Sequence, residues 1–155
     1  MRRRRAEKRV LPPDPKYGRG DVTAFVHKVM ERGKGTLAHR LVYQAFDIVA
    51  KETKRSPLEV FEEAMKNVTP ALEVKPRRVG GATYQVPVEV RAERGLALAR
   101  SWLLNAARAR KGRPMAERLA AELMEAAKSQ GAAAKRKDDL QKMAEANRAF
   151  VHYRW

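Results

Sequence analysis

The sequence predicts a mainly α-helical domain, with a six-helix, bundle-like body and one β-hairpin arm that protrudes between the third and fourth helices. Six stretches place apolar residues three or four positions apart, which is the spacing of one helix face. Residues 72–90 instead alternate with a period of two, as a strand with one apolar face does. We therefore divide the chain into a basic N-terminal arm, residues 1–20, and a single helical domain, residues 21–155, with the hairpin at about 72–90.

Three helices are predicted before the hairpin, over residues 21–32, 36–53 and 57–68. Asp21 is expected to cap the first helix. Residues 56–59, Ser-Pro-Leu-Glu, read as a capping box with proline at the first helical position of the third helix. Residues 33–35, Gly-Lys-Gly, lack the spacing of a phosphate-binding loop and therefore predict a helix end followed by a turn.

The hairpin stretch reads LEVKPRRVGGATYQVPVEV. Its apolar residues fall on even positions: Leu72, Val74, Tyr84, Val86, Val88 and Val90. Gly80 and Gly81 mark the reversal, because glycine adopts positive φ without steric cost. Pro76 and Pro87 remove ladder donors, so neither strand suits the centre of a wide sheet. The sequence predicts a lone two-stranded arm with a basic tip, supported by helices at its base or by a partner at its tip.

The register of this hairpin is predicted from the apolar positions. A two-residue loop would pair Val74 with Pro87, which places the apolar residues of the two strands on opposite faces. A three-residue loop keeps them on one face. We therefore expect Val74 to pair with Val86 and Leu72 with Val88.

Three further helices are predicted after the hairpin, over residues 92–110, 114–128 and 135–152. Leu96 is expected to point inward from the fourth helix, and Met143 and Val151 from the sixth. Phe150, Val151, His152, Tyr153, Arg154 and Trp155 then end the chain. Such an aromatic end either packs onto the protein or docks on a partner, since rings stack on bases and arginine pairs with phosphate.

The charge balance predicts a polyanionic partner. The chain of 155 residues has 34 Lys and Arg against 18 Asp and Glu, a formal charge of +16. Such an excess destabilises a compact chain unless a polyanion neutralises it. Nucleic acid is the leading class of partner and an anionic membrane surface the second. No apolar run approaches the ~18 residues of a membrane span, and the basic N-terminus lacks the apolar region of a secretory signal.

The N-terminal arm is the most basic stretch. Six cations stand among its first nine residues: Arg2, Arg3, Arg4, Arg5, Lys8 and Arg9. Prolines at 12, 13 and 15 exclude a helix there. The density of arginine, which forms forked contacts with phosphate, favours RNA contact over a solvated terminus.

The residues indicate no catalysis, cofactor or small-molecule substrate. The three histidines, His27, His39 and His152, lack metal-ligand spacing. Most carboxylates lie near Lys or Arg and are interpreted as solvated ion-pairing faces. The chain has no cysteine, which excludes disulfides and thiolate metal sites and is typical of a reducing cytosol.

Three motifs resemble the family of small ribosomal subunit protein seven, in order and over essentially the whole chain. They are Arg-Gly-Lys at 32–34 with the following LAHRLVY at 37–43, RRVGGATYQVPVEV at 77–90, and MAEANRAF at 143–150 with the ending HYRW. The chain departs from the family at Gly35, where a second basic residue is usual, so Lys34 alone is expected to bind there.

The resemblance implies a cytoplasmic, bacterial type of protein that binds the 3′ major domain of 16S rRNA and nucleates assembly of the head of the small subunit. It also implies proximity to exit-site tRNA, mRNA and small-subunit proteins nine and eleven. Some bacterial members repress their own mRNA.

The residues expected to bind RNA are cations at the N-terminal arm, the hairpin and the helix ends. They are Arg2, Arg3, Arg4, Arg5, Lys8, Arg9, Lys16, Arg19, Lys28, Arg32, Lys34, Lys75, Arg77, Arg78, Arg94, Arg108, Arg110, Lys111, Arg113 and Arg118. Those expected near tRNA or mRNA are Arg77, Arg78, Gly80, Gly81, Tyr84, Arg148, Tyr153, Arg154 and Trp155.

Two other classes of binding protein compete with this interpretation. An architectural DNA-binding protein could also use a helical body with a basic β-arm, but it usually carries an apolar wedge at the tip. The tip here is Val79 flanked by glycines and arginines. A membrane-surface protein needs a helix with one basic and one apolar face, whereas the last helix is mixed in charge.

Overall fold

A computed structural model describes residues 10–153, and the predicted mainly α-helical fold with a hairpin between the third and fourth helices is confirmed. The elements are α1 (Gly20–Val29), α2 (Gly35–Thr53), α3 (Pro57–Val68), β1 (Leu72–Val79), β2 (Ala82–Glu89), α4 (Ala92–Ala109), α5 (Met115–Ala127), α6 (Gly131–Ala146) and a C-terminal 3₁₀ helix (Arg148–Tyr153). Within residues 10–153, no helix is both long and apolar enough to cross a membrane.

α5 lies at the centre of the helical body, in contact with α2, α3, α4 and α6. Its inward face carries Leu119 and Leu123, both buried. Three phenylalanines from α1, α2 and α3 pack at the other side of the core. The ring centroid of Phe61 lies 5.2 Å from that of Phe25 and 5.6 Å from that of Phe46. This packing fixes the relative positions of the loops that join the helices.

The hairpin is the predicted lone two-stranded arm, but the predicted register is wrong. β1 and β2 pair antiparallel through a two-residue turn, with Val74 opposite Pro87. Gly80 and Gly81 have φ values of 57° and 91°, as a turn with positive φ at both central residues requires. The neighbours Val86 and Pro87 are both buried although adjacent side chains of a strand point to opposite faces. Both faces are therefore covered at this point.

The helix boundaries differ from prediction mainly at caps and ends. α1 ends at Val29, and Asp21 is its second residue rather than its cap. Ser56 makes no side-chain capping bond, so the predicted capping box is wrong, although Pro57 is the first helical residue as expected. α6 begins and ends earlier than predicted, and the chain continues as the 3₁₀ helix.

Several side chains predicted to be inward are at the surface. Leu96, Met143 and Val151 are 38%, 50% and 40% exposed. Gly95, the neighbour of Leu96, is buried, so this side of α4 faces the protein and Leu96 is left at the surface. A Cβ there would lie 3.0 Å from Cγ2 of Thr69 and 3.3 Å from the carbonyl oxygen of Pro70. The start of α4 therefore packs closely against the segment that leads into the arm.

Candidate RNA interface

A cleft of about 350 Å³ is lined on one side by the end of α1, the α1–α2 loop and the start of α2, and on the other by the last turns of α4 and the first turn of α5. Four cations expected to bind RNA line it: Arg32, Lys34, Arg108 and Arg118. Its apolar lining is Val29, Met30, Leu37, Ala38, Leu41, Leu104 and Met115. We call this site the basic cleft. An ion pair between Arg108 of α4 and Glu31 of the α1–α2 loop joins its two walls.

The α1–α2 loop presents Arg32 and Lys34 at the mouth of the basic cleft. Arg32 and Gly33 both have positive φ, and Lys34 donates its backbone N–H to the carbonyl of Glu31 at 3.0 Å. The predicted helix end and turn are therefore confirmed here. α2 then begins with no acidic residue in its first turn, so its positive dipole end adds to the charge of the cleft.

The α4–α5 loop is held in shape by Arg118. Its Nη1 donates to the carbonyl of Arg110 at 2.6 Å and to that of Arg108 at 3.3 Å. Its buried Nε has no hydrogen-bond partner among the described residues. The loop leaves Lys111 and Arg113 exposed, without an ion pair within residues 10–153.

Arg110 is tied to the protein by two carboxylates. Its Nη2 lies 2.6 Å from Oε2 of Glu122 and also binds Glu125. The hydrogen bonds that Arg110 donates to Glu125 and to Glu122 outweigh its burial and raise its pKa. Glu122 is fully buried, and its other oxygen accepts the backbone N–H of Ala133 at 2.9 Å.

The base of the arm holds a second group of cations. Lys75 and Arg94 bind the buried carboxylate of Glu73 at 2.7 and 2.8 Å. Burial by itself would raise the pKa of Glu73, but the hydrogen bonds from Lys75 and Arg94 outweigh it and hold the pKa below its ordinary value. Nearer the turn, Arg77 lies opposite Tyr84 and Arg78 opposite Thr83.

Comparison with known proteins decides the family. A family model described as ribosomal protein S7p/S5e matches residues 1–148. The chain belongs to the ribosomal protein S7p/S5e family. It is 59% identical over 155 residues to small ribosomal subunit protein uS7 of Thermotoga neapolitana, with both chains fully covered. It is 60% identical over 154 residues to uS7 of Carboxydothermus hydrogenoformans, covering 99% of each chain.

Membership of the S7p/S5e family identifies a structural ribosomal protein rather than an enzyme, as the sequence predicted. Among the described residues, no group of three or more His, Cys, Asp or Glu could hold a metal ion.

The N-terminal segment of this S7p/S5e member places Lys16 and Arg19 against acids. Lys16 lies 3.1 Å from Asp47, and that hydrogen bond raises the pKa of Lys16. Arg19 lies 2.6 Å from Asp21 and also binds Glu62. Lys16 and Arg19, which were expected to bind RNA, are therefore already paired with carboxylates of the protein.

Asp14 anchors the same segment to the helical body. It is buried and accepts hydrogen bonds from the backbone N–H groups of Lys16 and Tyr17, each at 3.1 Å. The hydroxyl of Tyr43 on α2 donates to its carboxylate at 2.9 and 3.0 Å. The segment is therefore held on the body from Asp14 onward, and the more basic residues precede it.

The tail rings pack onto the arm. The Tyr84 ring lies 5.2 Å from Phe150 and 5.0 Å from Tyr153. Phe150 and Tyr153 therefore pack onto the protein, which is one of the two alternatives that the sequence leaves open, whereas Trp155 lies outside the described residues. Arg148 is exposed beside this contact and lines a small pocket with Leu72 and Pro87.

The predicted site residues thus fall into separate groups rather than one patch. The basic cleft and its adjoining loop, the arm and the N-terminal segment each carry some, and Lys28 lies exposed on α1. The predicted site residues that lie outside the described part of the chain are Arg2, Arg3, Arg4, Arg5, Lys8, Arg9, Arg154 and Trp155.

Sequence reasoning missed the buried acids Asp14, Glu73 and Glu122. The interpretation of carboxylates as solvated faces is wrong for these three, and no pattern in the sequence marks them as buried. It also missed Arg91, which lines a pocket with Lys75 and Arg94 at the base of the arm. The fact that Arg91 directly follows the hairpin could have indicated that position.

Proposed function

We propose that the chain is a structural constituent of the small ribosomal subunit, acting in the cytoplasm. It binds the 3′ major domain of 16S rRNA as a primary binding protein and so nucleates assembly of the head. The observation that supports this most directly is the basic cleft, in a member of a ribosomal protein family. Its cations surround an apolar floor, which suits a backbone of phosphates with bases turned toward the protein.

The mechanism is electrostatic clamping by a rigid body. Arg32, Lys34, Lys111 and Arg113 make no ion pair within residues 10–153, so they are available to neutralise phosphates and release counterions. The packed helices hold these cations in fixed relation, and recognition then depends mainly on RNA shape. With ~6–10 phosphate contacts over the whole chain, raising salt from about 50 to 200 mM should weaken binding by ~10³–10⁵.

The arm and the tail extend this interface toward other ligands. Strands of eight residues reach about 25 Å at ~3.3 Å per residue, so Arg78 near the turn can meet a ligand that the body cannot. We assign exit-site tRNA and mRNA to this region, with small-subunit proteins nine and eleven as neighbours. The same cationic surface would also serve repression of the protein's own mRNA.

A filter-binding competition tests the proposal. The full chain is bound to a labelled small-subunit rRNA fragment and challenged with unlabelled fragment or with duplex DNA of equal phosphate content. Unlabelled rRNA should compete far better than DNA. Equal competition would favour the rival, an architectural DNA-binding protein.

A matched pair of variants localises the effect. Lys34→Gln removes a cation from the basic cleft, whereas Lys51→Gln removes an exposed cation about 25 Å farther along α2, at 1.5 Å per residue. We expect only the first to weaken rRNA binding. Equal effects would mean that net charge, and not the cleft, governs binding.

A further inference from the structure

The C-terminal 3₁₀ helix contacts the arm through a cluster of three half-buried aromatic rings. The C-terminal 3₁₀ helix packs against β2, and Tyr84 of β2 contacts both Phe150 and Tyr153 at ring-centroid distances of 5.2 and 5.0 Å. Phe150 and Tyr153 lie 6.5 Å apart with nearly parallel rings. We call Tyr84, Phe150 and Tyr153 the aromatic clasp.

The turn that delivers these rings is itself fixed by hydrogen bonds. The backbone N–H and the side-chain amide of Asn147 both donate to the carbonyl of Met143, at 3.2 and 2.7 Å. The N–H of Phe150 donates to the carbonyl of Asn147 at 3.0 Å. These hydrogen bonds fix the junction between α6 and the 3₁₀ helix.

The clasp holds the arm next to its cations. The strand register places Tyr84 directly opposite Arg77, with Arg78 one residue nearer the turn. Within residues 10–153, the contacts of β2 outside the arm are mainly with the 3₁₀ helix. The other strand, β1, contacts α6. A two-stranded ribbon is marginal alone in water, so these supports together decide where the end of the arm lies, and the clasp is the one formed at Tyr84.

We propose that the aromatic clasp is a positioning element for RNA binding by the arm. It fixes the angle of the arm to the helical body, so that Arg77 and Arg78 meet the RNA at a set distance from the basic cleft. This inference rests on the proposed function. Fixing the arm in advance removes the ordering that binding would otherwise require, so loosening it should weaken binding roughly 3- to 10-fold without removing a charge.

The first test measures the position of the arm in the full-length chain. Because the sequence has no cysteine, Ala82→Cys at the turn and Lys51→Cys on α2 provide two unique sites for spin labels. We expect a narrow distance distribution by double electron–electron resonance in this background. Tyr84→Ala and, separately, Phe150→Ala should broaden it, whereas Tyr84→Phe, which keeps the ring, should not. A distribution that stays narrow in both alanine variants would overturn the proposal.

The second test asks whether the effect on RNA passes through the arginines of the arm. The affinity for one small-subunit rRNA fragment is measured for Tyr84→Ala with and without Arg77→Gln and Arg78→Gln together. A positioning role predicts the 3- to 10-fold loss where Arg77 and Arg78 are present and almost none where both are replaced. Phe150→Ala, which changes the tail and not the arm, should repeat this pattern, and circular dichroism checks that all variants remain helical.

The remaining outcomes separate the explanations. Equal losses in both backgrounds would mean that Tyr84 contacts RNA by itself, and broad distances with unchanged affinity would mean that the angle of the arm is irrelevant. Either result overturns the positioning role alone. Failure of the unmodified chain to bind the rRNA fragment would refute the proposed function and this inference together.

Discussion

Neutralising the mouth of the basic cleft should change the salt dependence of RNA binding by a calculable amount. The perturbation is the double variant Arg32→Gln and Lys34→Gln. Both side chains are exposed and make no ion pair within residues 10–153, so their removal leaves no acid without a partner. Glutamine at 32 also requires no more backbone strain than arginine does at its φ of 52°.

The magnitude follows from counterion release. Each phosphate contact contributes about 0.7 to 0.9 to the slope of log affinity against log salt, the lower value for single strands. Two lost contacts therefore reduce the slope by about 1.4 to 1.8. When salt is raised from about 50 to 200 mM, the fold-loss in affinity of the double variant should be roughly 7 to 12 times smaller than that of the unmodified chain.

The assay is filter binding to one rRNA fragment at four or five salt concentrations, with thermal unfolding as a check on the fold. Lys51→Gln is the matched control and should leave the slope nearly unchanged, because Lys51 lies at the far end of α2. An unaltered slope in the double variant would refute the reasoning, even if affinity fell, because it would show that these two cations do not meet phosphates.

Three further predictions concern the arms and pH. Deleting residues 1–9 should lower RNA affinity and leave the melting temperature nearly unchanged, because the core lies within the remaining chain; a large fall in melting temperature with unchanged affinity would show a structural role. Replacing residues 77–85 with a short Gly/Ser link while keeping Val86, which is fully buried, should preserve the helical circular dichroism and impair incorporation into subunits and reading fidelity; normal incorporation and fidelity would make the arm dispensable. The pKa of Glu73 is lower in the folded chain than its ordinary value of 4.5. Its ion pairs therefore add stability above about pH 4.5, and this stability is lost as the pH falls through the folded pKa. The stability of Glu73→Gln should fall less steeply below that pH than the stability of the unmodified chain, and equal acid unfolding curves would contradict the assignment.

The helices were predictable because their signals are local. Apolar spacing placed all six, and Pro57 and the glycine-rich break before α2 marked boundaries that the structure confirms. The caps were less predictable, because a residue such as Asp21 can serve as a cap or be the second helical residue, and in the structure it is the second residue and pairs with Arg19. Exposure of Leu96 and Met143 likewise depends on neighbours that no local pattern specifies.

The register of the arm was predicted wrongly because both of its faces have neighbours in the structure. Alternating apolar residues select a register only where one face of the ribbon is buried and the other is solvated. In the structure, Glu73 is buried with Arg94 beside it, while Pro87 on the other face is covered near Val151 of the tail. Once both faces have neighbours, alternation no longer selects the register, and the two positive-φ glycines of the turn do.

The same long-range pairing limits what a charge excess reveals about an interface. The formal charge of +16 makes every lysine and arginine an equal candidate for phosphate. The buried acid Glu122 removes Arg110 from that set, and Glu73 holds Lys75 and Arg94, since a cation already neutralised by a carboxylate neutralises less phosphate charge and so releases fewer counterions from the RNA. Glu122 and Glu73 lie in different elements from Arg110 and Arg94, so the sequence cannot sort these paired cations from unpaired ones. The structure sorts them: of the cations expected to bind RNA, Arg32, Lys34, Lys111 and Arg113 make no ion pair within residues 10–153 and lie in the two loops at the basic cleft, which is why the proposed interface is centred there.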